Sequence, residues 1–213
     1  MFTSIISLAF MGLAIAGPLS PRAPPLSKSE GFNLVVKLKN PSADFVETPV
    51  NGQFITGLHV GAGLDLVGVS ATKGRIFYQN GTAGQQMDNT PMIVSDAGTP
   101  PYQAGLKFEE GPSPQLANIN PGPGKQGYFI NRNGDAYLLP DSFFACYEPI
   151  PYYHGKKFVV IRQSSTPGVP GHCVPTRLVP QCTKLNDLPA GATFTHEFTD
   201  EVPCYNDASS VKL

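Results

Sequence analysis

Four cysteines, four histidines and a cluster of tyrosines are the residues of this 213-residue chain whose types and spacing could do chemistry. Cys146, Cys173, Cys182 and Cys204 all lie in the last third. In an exported protein an even count implies two disulfides, and three pairings are formally possible. We favour Cys146 with Cys173 and Cys182 with Cys204, each closing a loop for which chain entropy gives roughly 3 kcal/mol. A zinc site fails on spacing: there is no Cys-x-x-Cys, and the side chains of His172 and Cys173 would diverge on a strand. His196-Glu197 lacks the second histidine of a zincin helix. His59, hemmed in by Val60, Leu64, Leu66 and glycines, reads as a hydrogen-bonded structural histidine. The expectation is therefore no metal and no cofactor.

Tyr147, Tyr152, Tyr153 and His154 gather around Pro149 and Pro151. On a rim loop such rings could stack on sugars or meet a protein partner. They could equally cover the end of a barrel with their hydroxyls in water. No Gly-x-Ser-x-Gly occurs, and the adjacent Glu109 and Glu110 would point to opposite faces of a strand. A glycosidase needs two carboxyl groups facing one another across a sugar. Asp65, Glu109, Asp135 and Glu148 read as solvated or turn residues, so no catalytic residue is assigned and a non-enzyme is expected.

The elements that would position these groups are short strands. Phe32 to Leu38, Phe54 to Thr56 and Leu58 to Val69 alternate or run apolar, with Gly61-Ala62-Gly63 as a bulge or bend. Arg75 to Gln79, Met92 to Val94 and Leu106 to Phe108 follow. Gly127 to Asn131 and Asp135 to Leu139 flank the turn signal Asn133-Gly134. Phe143 to Cys146, Lys157 to Arg162 and Thr176 to Val179 complete the set. Pro112 to Gln126 reads as a long surface loop. The sum is an all-β, single-domain sandwich or barrel of about ten short strands with long Pro/Gly-rich loops.

Residues 1–17, a short n-region, an apolar run and small residues before Pro18, read as a secretory signal peptide. A Pro-rich leader over 18–30, a β domain over 31–182 and a disulfide-tethered irregular tail over 183–213 follow. The triplet Asn80-Gly81-Thr82 is a glycosylation acceptor, expected at a loop tip. Fifteen basic residues against sixteen acidic leave no electrostatic case for nucleic acid, and no later segment is long and apolar enough to span a bilayer.

Leu58-His59-Val60-Gly61-Ala62-Gly63-Leu64, the strand ending at Asn80-Gly81-Thr82, the Gly127 to Leu138 hairpin, and Phe144-Ala145-Cys146 with Cys173 together resemble small secreted ascomycete proteins. One such group carries a fungal domain of unknown function; a more distant one comprises cell-wall mannoproteins that are IgE-binding antigens. The resemblance runs from about Phe32 to Cys182. It implies an extracellular or wall-associated protein without established catalysis, acting as an antigen or effector. Its partners would be cell-wall polysaccharide or a host protein; a carbohydrate-binding module or an unrecognised carbohydrate-active hydrolase is the alternative.

Overall fold

A computed structural model of the chain describes residues 24–109, 111, 113–164, 166 and 168–213; the expected signal segment lies outside them. The strands are β1 (Leu26–Ser29), β2 (Gly31–Leu38), β3 (Phe54–Gly61), β4 (Leu64–Ser70), β5 (Ile76–Asn80), β6 (Met92–Ala97), β7 (Tyr102–Phe108) and β8 (Gln115–Pro121). They continue as β9 (Phe129–Ile130), β10 (Leu138–Leu139), β11 (Phe143–Pro149), β12 (Lys157–Gln163), β13 (Cys173–Thr183), β14 (Thr199–Asp200) and β15 (Val202–Tyr205). One short helix, α1 (Ala83–Met87), interrupts them. Among the described residues no helix is long and apolar enough to cross a membrane.

Antiparallel pairing runs β2, β13, β11, β12, β8, β7, β6, β5 and back to β2, so the sheet closes on itself as a barrel. Closure leaves no free edge within this circuit, the kind of edge that would otherwise invite aggregation. The β3–β4 hairpin fills the remaining gap: Phe54 pairs with Val35 of β2, Gly68 with Val160 of β12, and Leu66 with Asn118 of β8. Its turn is Gly61-Ala62-Gly63, with a register shift between His59 and Gly61. The glycine interruption is thus a hairpin turn preceded by a bulge.

Side-chain alternation then sorts the two faces. Ile55, Val67, Phe77, Ile93, Phe143 and Ile161 point into the barrel with Phe32 and Leu34. Each fully buried ring or branched chain here is worth about 1.5–3 kcal/mol. On the opposite face Leu58, Val60, Leu66, Phe158 and Val160 form a second apolar patch, capped by Ile150 and Tyr153 at the turn after β11.

Three expectations are corrected. The stretch from Pro112 to Gln126 is not merely a surface loop, because Gln115–Pro121 pairs with β7, β12 and β4 and buries Ala117, Asn118 and Ile119. The Pro-rich leader contributes β1, which pairs along its length with β15. The tail is irregular over 184–198 and tethered by Cys182–Cys204, but it is more than a tether: Val202, Tyr205, Ala208 and Val211 belong to the main core. Its last turn covers β2, where the Lys37 ammonium donates to the Ser209 carbonyl at 3.2 Å. Burial lowers the Lys37 pKa, and Asp207 opposes that shift.

Candidate functional site

Proline and a left-handed pair of residues build the rim. Pro151 opens a 3-10 turn over Pro151–Tyr153, as its fixed φ favours, and His154 and Gly155 take φ of 54° and 80° to return the chain to β12. Tyr153 lies on Phe158 with centroids 4.7 Å apart, and its hydroxyl donates to the His59 carbonyl at 2.7 Å. Tyr152 stands edge-on to Tyr153 at 5.2 Å and to the His59 ring at 5.8 Å. Tyr152 is 52% exposed. The result is a solvent-facing aromatic ledge drawn from two hairpins.

The four expected ledge residues do not all meet. Tyr152 and Tyr153 form it and the exposed His154 adjoins it, whereas Tyr147 lies on the other face of β11, against Phe45 at 5.9 Å. Alternation explains the split: Tyr147 pairs with Val159, which faces the barrel interior, and Glu148 with Phe158, which faces outward. His59 replaces Tyr147 as the third ring, and it is not enclosed as expected: its side chain is 58% exposed.

Beside the ledge opens a polar cleft of about 690 Å³ lined by His59, Asp65, Lys73, Arg75, Asp96 and Tyr102, among others. His59 and Asp65 are register partners across the β3–β4 turn, with Nδ1 3.5 Å from Oδ1. The other Asp65 oxygen accepts from Arg75 at 2.9 Å. This ion pair lies across the backbone of β3 at Gly57, where a Cβ would run into the Asp65 carboxylate. On the far wall Asp96 is held by His196 Nε2 at 3.1 and 3.2 Å. Asp65 and Asp96 thus share one concavity, but each already has a cationic or imidazole partner.

The sequence reading missed Arg75, Lys73 and Asp96 as cleft residues. The facing of His59 and Asp65 was within reach of it, since a turn at Gly61-Ala62-Gly63 sets the two opposite one another. Asp96 was not, because its place depends on the closure of the barrel.

The remaining candidates are structural. Cys146 is bonded to Cys173 and Cys182 to Cys204. Cys146 and Cys173 are direct partners on β11 and β13, and His172 lies close enough to complete a three-ligand cluster, but both sulfurs are consumed in the bond. Glu148 is held by Arg162 Nη2 at 2.8 Å, with His172 Nε2 at 3.4 Å. Asn80 is not at a loop tip. It ends β5 between Met92 and Thr199, and its Oδ1 is enclosed without a hydrogen-bond partner. Thr82, the third residue of that triplet, is instead the N-cap of α1. Its hydroxyl accepts from the Gln85 N–H at 3.3 Å, and its own N–H donates to Gln85 Oε1 at 2.9 Å.

Comparison with known proteins sets this geometry in context. A family model described as a domain of unknown function, DUF7907, matches residues 29–182. The antigenic protein SchS34 of Stachybotrys chartarum is 40% identical over 215 aligned positions, which cover 92% of this chain and 97% of that one. No solved structure matches the chain significantly.

Proposed function

The chain belongs to the DUF7907 family, and from that membership and the rim geometry we propose that it is a secreted, non-enzymatic fungal recognition protein of the antigen type. It acts outside the cell, at the wall or against a host, and its ligand is wall polysaccharide held on the Tyr152 ledge. The observation that carries this reading is the exposed Tyr152 ring, propped by His59 and Tyr153 at the lip of a cleft with charged donors and acceptors. An aromatic face beside a polar cleft is what a sugar ring needs: C–H contact on one side and hydroxyl partners on the other. Two disulfides among strand residues fit an oxidising compartment.

A hydrolase reading rests on Asp65 and Asp96 lining one cleft. The contacts of Asp65 with Arg75 and of Asp96 with His196 favour recognition, because each carboxylate is already engaged by a neighbouring side chain. The test is a pull-down on insoluble chitin and β-glucan with the intact protein and with Tyr152→Ala. Tyr153 is a poor choice for substitution because its hydroxyl supports the His59 backbone. Retention of the intact protein and loss of the variant is expected. Equal retention of both, or release of reducing ends from either polymer, would overturn the proposal.

A further inference from the structure

A second cleft, of about 300 Å³, opens where β4 and β12 diverge beyond the Gly68–Val160 pair. Its lining includes neither Tyr152, Tyr153 nor His59, so it is distinct from the ledge. Gly57 and Gly68 lie diagonally adjacent on β3 and β4, since Gly57 pairs with Val67 and Thr56 with Gly68, and they contribute backbone without side chains. Tyr147 and Phe158 supply rings, with Val69 and Val159 adding apolar wall.

The mouth is basic. Lys157 lies over the Tyr147 ring at 5.6 Å and Lys156 over the Phe158 ring at 5.4 Å. Among the described residues neither ammonium lies in a salt bridge, and no Asp or Glu lines the cleft. Each ring holds its cation by the quadrupole of its face, which positions the charge without neutralising it. A slot of this size is at the small end of ligand sites, and apolar walls with a few convergent polar groups are their usual make-up.

We propose that this cleft binds a small planar organic monoanion of the aromatic carboxylate class, its ring in the opening between β4 and β12 against Val69, Tyr147 and Val159, and its carboxylate at the Lys157 ammonium, with Lys156 on the Phe158 face adding positive charge at the mouth. The two ammoniums at the mouth select for the charge, and the apolar walls select against inorganic anions and short aliphatic acids. Uncharged aromatic amides of the same shape lose the ion contact and retain only the burial.

The experiment titrates the isotopically labelled full chain with 2-naphthoate, following backbone amide shifts, with 2-naphthamide and acetate as controls. Saturable shifts at Gly68, Val69 and Lys156 to Val159 are expected, with a Kd of about 1 mM or tighter for a ligand of this size. The amide should bind at least about tenfold more weakly, and acetate should produce no localised shift. The Lys156→Gln, Lys157→Gln double variant, altered only at exposed positions, should keep its melting temperature and lose about tenfold in naphthoate affinity. Tyr152→Ala should leave naphthoate binding unchanged, which separates this cleft from the polysaccharide ledge. Equal affinity for naphthoate and naphthamide, shifts centred elsewhere, no saturation, or full affinity in the double variant would each overturn the assignment.

Discussion

Two histidine–carboxylate pairs each give a carboxylate to the same cleft and do opposite work. His59 lies on the rim, 58% exposed, with Nδ1 3.5 Å from Asp65, whose better contact at 2.9 Å goes to Arg75. His196 belongs to the C-terminal segment, 18% exposed, with Nε2 at 3.1 and 3.2 Å from both oxygens of an Asp96 that is itself 12% exposed. Its ring meets Tyr78 edge-on at 4.8 Å, and Tyr78 is fully buried. The competing guanidinium makes the difference. Where Arg75 takes the carboxylate, the imidazole is left to face solvent and Tyr152. Where no arginine intervenes, the imidazole closes on the carboxylate and fastens the tail to β5 and β6.

If the tail side is structural and the rim side is for recognition, matched substitutions should separate them. The largest effect is expected from Tyr205→Ala. That ring is 1% exposed and its hydroxyl accepts from the Ala136 N–H at 3.2 Å, so truncation should cost about 3–5 kcal/mol in denaturant unfolding. Tyr152→Ala should stay within about 0.5 kcal/mol of the intact protein. A comparable loss in both would break the contrast.

Next in size, His196→Ala removes the partner of a nearly buried carboxylate and should destabilise by about 1–3 kcal/mol. His59→Ala leaves Asp65 with Arg75 and should be close to neutral in the same assay. A neutral His196→Ala would show that the tail is held by its disulfide and strand pairing alone.

The smallest and most graded effect is expected in alkali. Burial pushes the Tyr128 hydroxyl up to about 12 and raises Tyr78 and Tyr205 as well. Unfolded tyrosine ionises near pH 10, so above that pH the unfolded chain loses protons that the fold retains. The contribution of these groups is complete below about pH 10 and is lost as pH rises toward their folded values, so unfolding free energy should fall across that window. A flat profile there would argue against the enclosure of these rings.

The strand set was legible because the pleat writes itself as alternation, as in Leu64 to Val69 and Lys157 to Arg162. The cysteine pairing favoured among the three possible ones is the pairing the structure has. The region from Leu116 to Asn120 was hidden by the prolines and glycines that flank it; here Asn118 is 8% exposed and Asn120 Oδ1 accepts from the Asp65 N–H at 3.1 Å. Helix α1 carried a readable Thr82-x-x-Gln85 capping signal that the glycosylation triplet obscured. The ledge was half legible: its tyrosines are neighbours in sequence, but His59 reaches them through tertiary contacts, the hydrogen bond from Tyr153 and the edge-on Tyr152 ring, which no local pattern encodes.

The pairing of β2 with β13 sets the order of events during synthesis. Gly31 must wait for Thr183 and Leu38 for Thr176, so a nascent chain cannot complete its circuit until most of it has left the ribosome. Until then Phe32, Leu34 and Val36 are exposed to water and to chaperones.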